Sequence, residues 1–376
     1  MRKILKFTAL FLLTVAVVLF ALAYFSTDMF RQFGAKAKGE RLSKIQSSPL
    51  YDGKAFQNPT SFGSDAMGPY GTMMKEMIFG NTVRSPEKPI HTAEFDAKAF
   101  QVRETSGVRV VWIGHSTILI ELDGFRILTD PVFSKRCSPS SLIGPARFHD
   151  VHIPDEIFET LDAIVISHDH FDHLDMPSIE KLAHLDIPFI VPLGIGAHLE
   201  KWGVATAKIH EHEWWESFSI ADGGLEFVCT PARHFSGRGF TRNQTLWASW
   251  VIRTKNRAIY FSGDTGYFEG FKEIGEKYGP FELAMIEMAA YHEKLWPSVH
   301  MWPEQSVQAN LDLRSEVMLP IHWGTFNLAF HAWDEPIERL LSAASSMNVK
   351  LVTPRPGELV DISNPPSVNP WWREAK

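Results

Sequence analysis

The chain has 376 residues, 45% hydrophobic and 22% charged, enough apolar material for one large domain or two ordinary ones. A formal charge of −7 lacks the concentrated Lys and Arg excess that a phosphate backbone demands, which excludes nucleic acid as a partner. Two cysteines, Cys137 and Cys229, allow at most one disulfide and form no spaced metal motif, so both are read as buried apolar residues.

Arg2, Lys3 and Lys6 precede an uncharged apolar run over 7–25. Its 19 residues match the roughly 17–25 that cross a bilayer as a helix. The run also exceeds the usual apolar stretch of a signal peptide, although Ala21-Leu22-Ala23 fits the small-x-small pattern of signal cleavage. Residues 1–25 are therefore expected to be a membrane anchor, with export after signal cleavage as the alternative. The stretch 26–105 has scattered turn signals such as Asn58-Pro59 and Gly68-Pro69, and is expected to wrap the main domain. Within it, 73–79 reads as a short amphipathic helix whose Met and Phe face serves as packing.

Residues 106–376 form the expected catalytic domain. Strands are predicted over 108–112, 117–122 and 125–128, with Asp123-Gly124 as a two-residue hairpin turn. A short continuous apolar run over 163–166 reads as a buried strand. Further strands are predicted over 189–191, 225–229, 246–252, 258–261, 283–286 and 317–320. Helical patterns fall at 178–184, 197–202, 303–311 and 336–346. Hairpins mixed with crossover units suit helices on both outer faces of two stacked sheets, an α/β four-layer αββα sandwich.

The chemistry begins where the 163–166 strand ends. His168, His170, Asp172 and His173 fall within six consecutive positions. Imidazoles so crowded beside a buried strand are costly unless a cation takes their lone pairs, and His with carboxylate suits zinc, iron or manganese. The spacing lets His168 and His170 face one ion while Asp172 and His173 reach a second.

H-x-H-x-D-H after an apolar strand resembles the signature of the metallo-β-lactamase superfamily. That resemblance implies further ligands in order. They are His234 in Thr230-Pro231-Ala232-Arg233-His234, Asp264 in Ser262-Gly263-Asp264-Thr265-Gly266, and His322 in Ile321-His322-Trp323-Gly324. Asp264 would bridge two divalent metal ions, zinc first, with iron or manganese also suited. Zinc β-lactamases commonly carry Cys at that position, which disfavours β-lactam hydrolysis.

Longer segments resemble the N-acylphosphatidylethanolamine-hydrolysing phospholipase D family. Among them are Gly114-His115-Ser116-Thr117, Leu128-Thr129-Asp130-Pro131, Gly144-Pro145-Ala146-Arg147-Phe148 and Leu246-Trp247-Ala248-Ser249-Trp250. The resemblance runs from about 61 to 359. Animal members carry Tyr at Phe171 and Gln at Val299, differences that bear on substrate more than on reaction type. It implies hydrolysis to N-acylethanolamine and phosphatidic acid by a hydroxide held between the metals. The alternatives are a sugar-phosphate lactonase-like ester hydrolase and a non-catalytic membrane-anchored metal sensor.

Asp264 and His300 are the expected catalytic residues. His300 would stabilise the phosphate or protonate the leaving group; on sequence alone a surface His reads equally well, and the resemblance assigns it. Asp130 is expected to hydrogen-bond a ligand imidazole, or else to be a turn carboxylate before Pro131. His115 is read as structural. Phe171, Trp215 and His300 are expected to contact substrate. A phospholipid substrate and the membrane are the expected partners, and a homodimer stays open.

Overall fold

Apolar side chains on the early strands divide by parity between two cores. β1 (Val108–Gly114), β2 (Thr117–Leu122), β3 (Phe125–Thr129) and β4 (Ala163–Val165) are buried almost throughout. Val108, Val110, Trp112, Ile118 and Ile120 turn toward the second sheet. Val111, Ile113, Leu119, Leu128 and Ile164 turn outward, beneath the helices Met176–Leu182 and Gly196–Lys201. Strand side chains alternate faces, so a sheet covered on both sides demands an unbroken apolar run. Asp123 and Gly124 both have positive φ, 47° and 87°, as the two-residue turn between β2 and β3 requires.

The computed structural model describes residues 11–15, 17, 29–60 and 70–376. The remaining strands are β5 (Phe189–Pro192), β6 (Ile209–His212), β7 (Ser217–Ile220), β8 (Leu225–Thr230), β9 (Ser249–Arg253), β10 (Ala258–Phe261), β11 (Phe281–Glu287), β12 (Ser315–Ile321), β13 (Lys350–Leu351) and β14 (Leu359–Asp361). They form two seven-stranded sheets, ordered β14-β1-β2-β3-β4-β5-β6 and β13-β12-β11-β10-β9-β8-β7. Each starts as an antiparallel meander and continues as a parallel run, β3 to β6 in one and β10 to β13 in the other. The helices Gly270–Tyr278, Pro303–Asp312 and Glu335–Ser346 cover the second sheet. This is the α/β four-layer arrangement.

Residues 246–248, expected as strand, form a crossing instead. Leu246 N donates to Leu193 O and Ala248 N to Ser167 O, tying the second sheet's loop to the first. The stretch after residue 28 lies against the domain. Arg41 pairs with Glu200 and Glu211, Ile45 and Phe56 are buried, and Asn58 Nδ2 donates to His234 O at 2.7 Å. The helix Tyr70–Phe79 departs from its expected packing role: Met74, Met77, Ile78 and Phe79 are exposed. Cys137 and Cys229 are both free and buried. Among the described residues no helix is long and apolar enough to cross a membrane, and most of the run 7–25 lies outside them.

Candidate metal centre

The parallel strands of both sheets point their carboxyl ends at one rim, the usual place for a site in α/β folds. His168 to His173 follow β4, His234 follows β8, Asp264 follows β10 and His322 follows β12. Glycine lets these loops meet. A Cβ on Gly263 (φ 54°) would sit 2.5 Å from Ser167 Cβ, and one on Gly266 would sit 1.9 Å from Ser298 O.

His168, His170, His234 and Asp264 converge as one potential ion site. His168 Nε2 and His234 Nε2 lie 3.8 and 3.7 Å from Asp264 Oδ2. On the other side of Asp264, His173 Nε2 is 3.1 Å from Oδ1 and His322 Nε2 is 3.0 Å from Oδ2. Asp172 Oδ2 completes that side, 3.5 Å from His173 Nε2 and 3.4 Å from His322 Nε2. All seven residues expected as ligands are thus brought together, with Asp264 between the two groups.

The donor set fits cations. His173 Nε2, His322 Nε2 and Asp264 Oδ1 are buried without a hydrogen-bond partner. An unsatisfied buried polar atom costs about 1–3 kcal/mol, and three converging on one point ask for a shared acceptor of their lone pairs. Burial opposes every charge here. At His168, His170 and His234 it prevails and holds the imidazoles below their ordinary value. At Asp172 and Asp264 burial is outweighed by the facing His173, joined by His322, and both carboxyls stay well below the usual range. His173 is held well above the ordinary imidazole value, and His322 rises to about 10, each against burial by facing Asp264 and Asp172.

Outer partners fix the ring orientations. Asp130, fully buried, accepts from Ser167 N at 2.7 Å and Ser167 Oγ at 2.6 Å, and its Oδ2 is 2.6 Å from His173 Nδ1. His168 Nδ1 is 2.9 Å from Ser167 Oγ, and His234 Nδ1 is 3.2 Å from Val299 O. His115 Nε2 lies 2.9 Å from Asp172 Oδ2, and its ring centroid is 4.0 Å from that of His322.

His300 stands beside the centre, its ring centroid 5.1 Å from those of His234 and His322. Its Nδ1 is 3.3 Å from Oε1 of the fully buried Glu287 at the end of β11. Phe171 is half-buried beneath the Arg238 guanidinium, 4.0 Å from its ring centroid. Trp215 is not brought to the cluster. Its N donates to Cys229 O, and Lys277 Nζ of the helix Gly270–Tyr278 lies over its ring at 4.4 Å. Neither Glu287 nor the contact from His115 to Asp172 was among the expected features. Glu287 carried a legible signal, a carboxylate closing an apolar strand next to the one that presents Asp264.

Two covered sheets with a His- and Asp-rich centre where their strands end define a class of metal-binding α/β proteins. Residues 125–323 match the family model described as a beta-lactamase superfamily domain. An uncharacterised protein of Mycobacterium tuberculosis is 44% identical over 90% of this chain and 91% of its own length. The N-acyl-phosphatidylethanolamine-hydrolyzing phospholipase D 1 of Caenorhabditis elegans is 31% identical over 85% of this chain and 95% of its own. Among solved structures, a metallo hydrolase of Ignicoccus hospitalis is similar at a TM-score of 0.52 and 26% identity, covering 67% of this chain and 97% of that one. The chain belongs to the metallo-β-lactamase superfamily and is a metal-dependent hydrolase.

Proposed function

We propose that this hydrolase is a phosphodiesterase of phospholipase D type, cleaving N-acylphosphatidylethanolamine-like lipids to N-acylethanolamine and phosphatidic acid. The observation that carries the reading is the similarity to the worm phospholipase D, which extends over 95% of that protein. Zinc is the proposed metal at both sites, since His with carboxylate suits it; iron and manganese accept the same donors. Bound as a pair, such ions would supply Lewis acidity and a water that ionises near neutral pH.

The protein's own groups set the geometry. Asp264 fixes the separation of the two ligand groups. Asp130 holds His173 through Nδ1, so Nε2 faces the centre, and His115 orients Asp172. Glu287 Oε1 lies 3.3 Å from His300 Nδ1, and His300 is the proposed group that hands a proton to the leaving oxygen of the ethanolamine as the phosphorus–oxygen bond breaks. Phe171, at the surface beside the ligand loop, is the proposed contact for apolar substrate. The run 7–25 is the proposed anchor, which would keep the site beside an amphiphile that rarely leaves the bilayer and so raise its effective concentration.

The test is a substrate panel on the full chain supplied with metal: N-acylphosphatidylethanolamine, a phosphosugar lactone and a thioester. Release of N-acylethanolamine with phosphatidic acid is expected. Lactone or thioester hydrolysis without lipid cleavage overturns the assignment, and inactivity toward all three with metal bound favours a sensor.

A further inference from the structure

A narrow cleft of about 20 Å³ opens beside His322, between the loop 322–333, the pair Ala289-Ala290 and the segment around Arg84. A single water needs roughly 10–15 Å³, so the cleft has room for one oxygen-sized group and not for a chain. Its walls are tied together. Trp333 N donates to Val83 O at 3.1 Å, which fastens the segment of Arg84 to the loop that begins with the ligand. Ala290 N donates to His331 Nε2 at 3.0 Å, and Ala290 O accepts from Trp296 Nε1. These contacts hold Ala290 at φ 61°, a left-handed conformation that an alanine adopts only where its surroundings compel it.

Among the described residues that line the cleft, Arg84 alone carries a fixed charge, and none is acidic. Its half-buried guanidinium lies over the Phe330 ring, 5.4 Å from the centroid. It has no ion pair or hydrogen bond among the described residues. Arg238, on the other side of the centre, is by contrast spent on Gln32 O, Asp169 O and Leu174 O. Asn327 lines the cleft with a carboxamide that also has no hydrogen bond among the described residues. His331 adds no donor, since Nε2 accepts from Ala290 N and Nδ1 is 2.8 Å from Ala332 O. His322 joins the cleft to the metal centre: it lines the one, and its Nε2 stands 3.0 Å from Asp264 Oδ2 in the other.

We propose that Arg84, with Asn327 beside it, receives an oxygen of the substrate's phosphate group and so selects phosphodiesters over uncharged carboxylic esters. The inference rests on the phosphodiesterase reading. A phosphodiester keeps a full negative charge near neutral pH, and a guanidinium meets it with charge-assisted hydrogen bonds that an uncharged ester cannot match. The experiment uses the zinc-loaded full chain with Arg84→Gln and Arg84→Lys. Calorimetric titration with inorganic phosphate reads the anion site. The ratio of kcat/KM for bis(p-nitrophenyl) phosphate to that for p-nitrophenyl acetate reads discrimination, and zinc content is measured for each protein. Phosphate binding is expected to weaken about 10–100-fold in Arg84→Gln, the usual loss of a hydrogen bond to a charged group, and less in Arg84→Lys. The ratio should fall at least tenfold in Arg84→Gln, with zinc retained. Phosphate binding that is absent in the wild type or unchanged in Arg84→Gln overturns the proposal, as does loss of zinc from both variants, which would make Arg84 a structural support of the ligand loop. Weaker phosphate binding with an unchanged ratio marks a site for free phosphate and overturns the role in substrate selection. If the wild type hydrolyses the acetate and no phosphodiester, the phosphodiesterase reading fails, and weaker phosphate binding in Arg84→Gln still upholds the anion cleft.

Discussion

Replacing Asp130 by Asn keeps the shape of a fully buried side chain and removes one acceptor. Asp130 has φ 33°, a left-handed conformation that Asn tolerates well, so the backbone accepts the change. Ser167 N, a donor at 2.7 Å, compels the amide oxygen of the new side chain to take the position of Oδ1. The amide nitrogen then occupies the position of Oδ2, 2.6 Å from His173 Nδ1. Two donors cannot face each other there, so His173 must carry its proton on Nε2, the nitrogen aimed at Asp264. A protonated Nε2 cannot ligate. Losses of an outer-shell partner of this kind lower metal affinity about 10–100-fold, or roughly 1.4–2.7 kcal/mol. Competition against a chromophoric chelator measures it, and the expected outcome is one weakened ion and one retained. Unchanged affinity for both ions would refute the tautomer argument.

Changing His300 to Ala should slow lipid hydrolysis by about 10²–10⁴ with metal content intact, the usual range for a general acid–base group; loss of metal would instead make it a structural support of the centre. At the C-terminus, Arg373, with Trp372, holds the Glu338 carboxyl down to about 2 from an ordinary 4.5. A depressed carboxyl stabilises the fold above its unfolded value and loses that contribution as pH falls from 4.5 toward 2. Thermal melting of wild type and Glu338→Gln should therefore differ above pH 4.5 and converge near pH 2, by under about 1 kcal/mol for a surface pair. Cell fractionation with intact-mass measurement should find the run 7–25 retained and the protein with membranes; a mature chain beginning at Tyr24 in the soluble fraction would contradict the anchor.

The ligands were legible because their chemistry is concentrated: three imidazoles and a carboxylate in six positions have few uses besides a cation. The central strands were legible because sheets covered on both faces write unbroken apolar runs. β6 and β7 escaped notice because they are half-buried and carry His, Glu and Ser in place of such a run. The helix Gly270–Tyr278 was hidden by its glycines, yet Gly275 is required there, since a Cβ would come 2.2 Å from Asp312 O. The exposed face of Tyr70–Phe79 reads as core filler in sequence because periodicity reports amphipathicity and not what covers it. The cleft beside Arg84 joins residues roughly two hundred positions apart, and no local pattern announces that.

The seven converging side chains are proposed to hold two ions. Elemental analysis of the full chain, purified without chelator and supplied with zinc, tests it most directly when run beside Asp264→Ala. Two ions per wild-type chain are expected, with loss of occupancy together with activity in the variant. A wild-type ratio that stays near one with zinc in excess, or a variant that keeps both ions, would contradict it.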